Sequence, residues 1–218
     1  MSNPDSFIDE VNEELKRDRL FAAIRKYGWI AILAVLVAVG ATSWNEWRKA
    51  RDEAAAQAFG DSVIAALDQQ DVAQRLGSLQ AIDAQGDRQG ILNLLIAATD
   101  LAAQDRPAAL AALAAVENDA ALPMSYRQIA ALKRVTVGGA DIPVDARRAT
   151  LQGLAAPGQA FRPLALEQLA LLAMETGDHD GALQQAQALL QEPDLTDGLR
   201  RRVAQLIVVL GGVPGDLG

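Results

Sequence analysis

The most apolar stretch of the chain is an unbroken run over residues 28–43, GWIAILAVLVAVGATS, which contains no charged side chain. Aromatic residues flank the run at both ends, namely Tyr27, Trp29, Trp44 and Trp47. A helix of about 20 residues rises about 30 Å, which matches the hydrocarbon thickness of a bilayer, and aromatic rings favour its two interfaces. The pattern therefore predicts one transmembrane helix over residues 27–47, embedded in the lipid bilayer.

A cleavable signal peptide is the alternative interpretation of this run, and Ala38-Val39-Gly40 would be an acceptable cleavage site. The 26 residues before the predicted span favour an anchor instead, because six of them are acidic. The leading region of a signal peptide is short and basic. We therefore expect the span to be retained in the mature protein.

Basic residues near the two ends of the span predict its orientation. Five lie on the N-terminal side and three on the C-terminal side: Lys16, Arg17, Arg19, Arg25 and Lys26 against Arg48, Lys49 and Arg51. The side richer in Lys and Arg stays in the cytoplasm. We therefore expect a single-pass protein of the bacterial inner membrane, with its N-terminus cytoplasmic and residues 52–218 in the periplasm.

Beyond the span, the apolar pattern repeats at intervals of 36, 37 and 36 residues. Superposing GDHDGALQQAQALL on QDRPAALAALAAV aligns Ala182 with Ala109, and the alignment extends to Ala146 and Ala73. This period is close to that of tetratricopeptide-type helix-turn-helix repeats. Three of the aligned alanines, Ala109, Ala146 and Ala182, follow a capping or first-turn residue, namely Asp105 with Pro107, Pro143 and Asp178, and precede Pro123, Pro157 and Pro193, which we expect to end the helix. The middle repeat needs a four-residue insertion around residues 138–141.

The predicted fold is all-α, with a single N-terminal transmembrane helix followed by a tetratricopeptide-like helical-repeat solenoid. Residues 1–26 form a cytosolic amphipathic tail, which either contacts a partner or lies on the membrane surface, or else extends into solvent. The span covers residues 27–47 and the repeats cover residues 48–194. Residues 195–218 form a capping helix and a tail, because an apolar stripe follows Thr196.

Two surfaces are candidates for binding. The first helix of each tetratricopeptide-type repeat lines the concave side of the stack, and the residues predicted there to bind protein are Leu164, Glu167, Leu171, Met174, Ile91, Leu94 and Leu101. The alternative is that neighbouring helices cover these side chains. Within the span, four small residues share one face and predict packing against another membrane helix: Ala31, Ala34, Ala38 and Ala41. The alternative to such packing is that the four residues share a face only because alanine is common in this chain.

Composition and charge argue against several classes of function. Aromatic residues make up only 4% of the chain, although half of it is hydrophobic, and much of the difference is alanine, the best helix former. From residue 52 onward, 12 Lys and Arg stand against 21 Asp and Glu, so we expect no nucleic-acid partner. The absence of cysteine removes disulfides and thiolate chemistry. His179, the only histidine, lies in a Gly-Asp-His-Asp-Gly turn, so the residues predict no enzyme, metal or cofactor.

The order of parts resembles a known family. The segment SFIDEVNEELKRDRLFAAIRKYG, one span, then WNEWRKARDEAAAQAFGDSV and alanine-rich repeats is similar to the bacterial YfgM-type proteins, ancillary subunits of the SecYEG translocon. The resemblance covers nearly the full length. It implies a membrane-anchored periplasmic scaffold that works beside the translocon and periplasmic chaperones on exported polypeptides. An accessory or assembly subunit of a large inner-membrane complex, such as a respiratory one, would have the same design.

Overall fold

The structure, a computed structural model, describes residues 4–193 and 195–214, apart from the side chains of residues 4–24, 27, 28, 31 and 32. The regular elements in this part of the chain are α1 (Pro4–Leu67), α2 (Val72–Gln80), α3 (Asp87–Ala102), α4 (Arg106–Asn118), α5 (Met124–Gly138), a 3-10 turn (Gly139–Asp141), α6 (Val144–Leu154), α7 (Arg162–Glu175), α8 (His179–Leu189) and α9 (Asp197–Val209). No strand occurs among the described residues, so the prediction of an all-α fold is confirmed.

The chain divides into two compact units, Met1–Gly60 and Asp61–Gly218. The described part of the first unit is residues 4–60 of α1, which include the predicted span and the described part of the predicted tail. Nine large apolar side chains of this unit are exposed by between 46% and 63%: Trp29, Ile30, Leu33, Val35, Leu36, Val37, Val39, Trp44 and Trp47. At 3.6 residues per turn these positions are distributed around the helix and do not form one stripe.

No helix in the described part of the chain presents an apolar stretch of the length needed to cross a bilayer. Among the residues predicted to pack within the span, Ala31 lies outside the described side chains. The other three, Ala34, Ala38 and Ala41, are exposed.

In the second unit, each helix from α2 to α9 packs against the next one along the chain, and α3 also contacts α5. The buried side chains form clusters that share helices. One cluster joins α3, α4 and α5, the next joins α5, α6 and α7, and a third joins α7, α8 and α9. The core is therefore a row of overlapping clusters, as expected when helices stack in sequence.

Several helix starts follow the sequence prediction. The carboxylate of Asp105 accepts a hydrogen bond from the Ala108 amide at 3.0 Å, and Asp178 accepts one from Gly181 at 2.9 Å. The Thr196 hydroxyl accepts from the Leu199 amide at 3.4 Å. These side chains satisfy amides that have no partner inside the helix, which fixes where α4, α8 and α9 begin.

The loops before α4 and α8 have the same backbone geometry. Gln104 and Gly177 precede the two capping aspartates, and both have positive φ angles, 63° and 84°. Gly177 adopts this angle without steric cost, whereas Gln104 is a non-glycine residue in the left-handed region. The two helix pairs therefore turn in the same way.

Helices α4, α6 and α8 each bury three positions at spacings of four and three residues. The sets are Ala109, Leu113 and Val116 in α4; Arg147, Leu151 and Leu154 in α6; Ala182, Ala186 and Leu189 in α8. In α2 the same spacing gives Val72 and Leu76, both half-buried, and the buried Leu79. A common burial pattern thus recurs along the second unit.

This pattern corrects the sequence alignment at two of four positions. Ala109 and Ala182 are fully buried, as predicted, but Ala73 and Ala146 are exposed. Their inward places are taken by Val72, one residue earlier, and Arg147, one residue later. In an alanine-rich helix, residue similarity does not distinguish adjacent positions. The prolines Pro123, Pro157 and Pro193 do not end the helices directly. Helices α4, α6 and α8 end several residues earlier, at Asn118, Leu154 and Leu189.

Candidate functional site

A groove of about 590 Å³ lies on the second unit, among α5, α7 and α9. Its apolar lining consists of Ile129, Leu132, Val137, Leu164, Leu171 and Leu206. Its polar lining consists of Lys133, Thr136, Glu167, Gln168, Arg202 and Gln205. The volume lies within the range of sites that bind small molecules or peptide side chains, which are typically mostly apolar with a few polar groups. We refer to this feature as the groove.

Helical periodicity explains how three helices build one surface. The groove residues of α5 are 129, 132, 133, 136 and 137, those of α7 are 164, 167, 168 and 171, and those of α9 are 202, 205 and 206. Side chains three and four residues apart share one face of a helix. The same helices send other side chains into the core, for example Ala165, Ala170 and Val203, all fully buried. Each helix therefore has a packed face and a groove face.

An ion pair joins two walls of the groove. Arg202 of α9 donates two hydrogen bonds to Glu167 of α7, from Nε to Oε1 and from Nη2 to Oε2, both at 2.8 Å. The Glu167 side chain is only 9% exposed, whereas that of Arg202 is 54% exposed. The hydrogen bond to Glu167 raises the pKa of Arg202. The bidentate geometry satisfies both oxygens of a nearly buried carboxylate.

Lys133 is the other charged residue of the groove. It is exposed on α5 and makes no ion pair with any residue that the structure describes. Two cations and one anion therefore line the groove, and the anion is already paired. This local balance is opposite in sign to that of the chain as a whole, whose net charge is −8.

A smaller cavity of about 120 Å³ shares Thr136, Gln168 and Leu171 with the groove, and Arg147 and Glu175 line it as well. Arg147 is 5% exposed and donates from Nη1 and Nη2 to Glu175, both at 2.7 Å. These hydrogen bonds lower the pKa of Glu175. The Nε atom of Arg147 is buried without a hydrogen-bond partner.

Arginine–carboxylate pairs also join other helices of the stack. Arg134 of α5 pairs with Glu117 of α4, and Arg162 of α7 pairs with Glu192, just after α8. Hydrogen bonding to Arg162 lowers the pKa of Glu192. These pairs tie neighbouring helices together away from the groove lining.

A second cavity, of about 600 Å³, lies on the opposite face of α7. Its lining includes Arg148 and Gln152 of α6, Leu169 of α7 and Gln185 of α8. Leu169 packs against the core cluster of α5, α6 and α7. We refer to this feature as the opposite-face cavity.

The groove unites three of the seven side chains predicted to bind protein, Leu164, Glu167 and Leu171. Met174 is half-buried on α7 and does not line the groove. The three predicted residues of α3, namely Ile91, Leu94 and Leu101, do not line it either; Leu94 packs against the core, and Leu101 is 39% exposed.

Sequence reasoning missed the contributions of α5 and α9 to the groove. The signal was available, because Ile129, Lys133 and Thr136 recur at helical spacing, as do the polar residues Arg202 and Gln205. The apolar stripe after Thr196 predicts only a capping helix, whereas the Glu167–Arg202 pair places the polar side of α9 beside α7.

The end of the predicted span carries a cluster of rings and a cation. The Trp44 and Trp47 rings lie 5.3 Å apart with an interplanar angle of 36°, and the Arg51 guanidinium lies 5.1 Å from the Trp47 ring centre. All three side chains are exposed. An aromatic ring with a cation over its face suits an interface between apolar and aqueous surroundings.

His179 is exposed at the first position of α8, and no cluster of three or more metal-ligating side chains occurs among the residues that the structure describes. Comparisons with protein-family models, with curated proteins and with solved structures gave no match. The groove, the opposite-face cavity and the exposed apolar side chains of α1 are therefore the features that bear on function.

Proposed function

We propose that this protein is a membrane-anchored, periplasmic polypeptide-binding scaffold that is ancillary to the SecYEG translocon and linked to the periplasmic chaperones of exported proteins. The observation that carries the proposal is the groove, whose apolar side chains come from three consecutive odd-numbered helices. Apolar grooves between helices are a common way of binding segments of other polypeptides. The proposal covers binding alone and assigns no reaction to the groove.

The proposal of tetratricopeptide-like repeats is supported by the packing order and by the recurring burial pattern. Helices α3 to α8 form three successive pairs, and the second helix of each pair buries positions at spacings of four and three residues. The helices that line the groove are the first helices of the last two pairs, followed by α9. Stacks of this type present the first helices of their repeats to partners.

The proposal of a membrane anchor over residues 27–47 is supported by the sequence pattern and by the exposed apolar side chains of α1. Burying one large apolar side chain contributes about 1.5–3 kcal/mol. Nine such side chains, among them Leu33 and Leu36, are exposed on α1, so this segment favours apolar surroundings on all sides. The exposed Trp44 and Trp47 at its end suit the headgroup layer.

The assignment to the translocon rests on the resemblance of the order of parts to the YfgM-type proteins, and purification tests it. The full-length protein should be extracted from membranes in a mild detergent, and its partners should be identified by mass spectrometry. Co-purification of the SecYEG subunits and periplasmic chaperones supports the proposal. Stoichiometric recovery of a respiratory complex instead would identify an accessory subunit, and recovery of the protein alone would contradict both assignments.

Site-specific cross-linking tests the use of the groove. A photoreactive amino acid placed at Gln205, an exposed residue of the groove, should cross-link to polypeptides during export. The matched control is Gln152, an exposed residue of the opposite-face cavity. Equal yields at the two positions, or adducts at Gln152 alone, would contradict binding in the groove.

A further inference from the structure

We propose that the groove selects polypeptide segments in which an acidic side chain accompanies apolar ones, an inference that rests on the proposed polypeptide-binding function. The apolar floor, for example Leu164, Leu171 and Leu206, accepts the apolar side chains. The charged residues around this floor determine which polar side chain accompanies them.

The paired state of Glu167 excludes it as an acceptor for a cationic ligand. Both of its carboxylate oxygens accept from Arg202 at 2.8 Å, and its side chain is 9% exposed. A lysine or arginine of a bound segment would have to displace Arg202 to reach it. Such an exchange replaces one bidentate ion pair with another and gains no ion pair, so Glu167 offers a cationic segment no net attraction.

Lys133, in contrast, is available to a ligand. Its side chain is exposed at the groove, and it has no ion pair with a described residue. Arg202 lines the groove from α9, and its side chain remains 54% exposed although it binds Glu167. Because Lys133 and Arg202 line the same cavity, the two cations border the same floor. A carboxylate above this floor is attracted by both.

The charge of the whole protein makes this local preference distinctive. The net charge is −8, so the protein at large repels acidic segments. Attraction of an acidic segment therefore has to come from the groove itself. Reversing one charge in the groove should change the preference, whereas reversing a charge elsewhere should not.

The experiment uses the full-length protein in lipid nanodiscs and three fluorescent peptides with the same apolar residues. The peptides differ at one central position, which is Glu, Gln or Lys. Fluorescence anisotropy should show that the Glu peptide binds about twofold to fivefold more tightly than the Gln peptide, as expected for one partly exposed ion pair, and that the Lys peptide binds most weakly. Raising the salt concentration should reduce these differences.

Lys133→Glu should invert the order of the three peptides, and Lys133→Gln should reduce the preference for Glu over Gln, since Arg202 still borders the floor. The control is Arg148→Glu, which makes the same change of charge on the opposite-face cavity and should leave the order as it is. If no peptide binds, the proposed function fails. If all three bind equally, or if the two charge reversals act alike, polypeptide binding stands and the selection of acidic segments is overturned. Full displacement of the Glu peptide by a medium-chain fatty acid would assign the groove to a lipid instead.

Discussion

The register of α6 can be tested by a pair of substitutions for which the sequence alignment and the structure make opposite predictions. The alignment places Ala146 where two helices touch, as it does Ala182, so Leu would be too large at either position. In the structure Ala182 is fully buried, whereas Ala146 is exposed, and Arg147 has the inward place. Only the substitution at residue 182 should therefore overpack a contact.

The magnitudes follow from burial. Inserting extra methylene groups into a close-packed contact costs about 1–3 kcal/mol, so Ala182→Leu should be destabilising by that amount. Ala146→Leu should change stability by less than about 0.5 kcal/mol, because exposed substitutions seldom do more. For a domain of this size, 1 kcal/mol corresponds to about 2–4 °C in the unfolding temperature.

Thermal unfolding of the full-length protein, followed by circular dichroism, separates the two outcomes. Ala182→Leu should lower the unfolding temperature by several degrees, and Ala146→Leu should leave it within about 2 °C of the parent. Ala188→Leu, on the exposed side of α8, is the control for the added leucine. A loss at Ala146 as large as that at Ala182 would refute the register described here.

Further predictions concern the Arg147–Glu175 ion pair, the topology and the membrane anchor. Arg147→Ala should lower the free energy of unfolding in urea by about 2 kcal/mol or more, because it empties a buried site. Arg147→Met should lower it by less than about 1 kcal/mol, because the guanidinium is buried with its Nε unpaired. Equal losses for the two variants would contradict this reasoning. The pKa of Glu175 is lowered in the folded protein by Arg147, so this pair stabilises the fold above the ordinary glutamate pKa of about 4.3, and the contribution disappears as the pH falls through the lower folded value. Unfolding temperatures measured across acid pH should therefore decline less steeply for Glu175→Gln than for the parent, and parallel curves would show that the pair is not involved. A reporter that is active only outside the cytoplasm should be active when it is fused to the C-terminus, and an inactive reporter would overturn the predicted topology. Mass spectrometry of the mature protein should recover peptides from residues 7–17, and a mature N-terminus near Ala41 would overturn the predicted anchor.

Helix positions could be predicted from the sequence because caps act locally. Asp105, Asp178 and Thr196 each bond an amide three residues ahead, and such a contact depends on nothing distant in the chain. The burial of Ala109 and Ala182 could be predicted for a related reason, since each stands at a fixed distance from its cap. Local chemistry and repeat spacing agree at these positions.

The inward place of Arg147 could not be predicted, because a charged residue there interrupts the apolar pattern on which the alignment depends. Its burial is possible only because Glu175, which is 28 residues away in sequence, meets it at 2.7 Å. Pairings of this kind depend on tertiary packing, which residue periodicity does not record.

Only part of the groove could be predicted from the sequence, because the rest of it also depends on tertiary packing. The contribution of α7 follows from helical spacing within one repeat, so Leu164, Glu167 and Leu171 were found together. The contribution of α3 was inferred by analogy between repeats, but Leu94 is partly buried against the core there. Leu164 is also partly buried against the core, so equivalent positions in successive repeats differ in whether they line the groove and not in their packing against the core.

Helix α9 links the stability of the stack to the chemistry of the groove. Its buried residues Val203 and Ile207 close the core cluster of α7 and α8, as a capping helix does. On its other side, Arg202 satisfies the nearly buried Glu167 and so removes the only anion of the groove lining from competition for ligands. The same ion pair therefore holds the cap in place and leaves the free positive charge of Lys133 as the dominant charge that a bound segment meets.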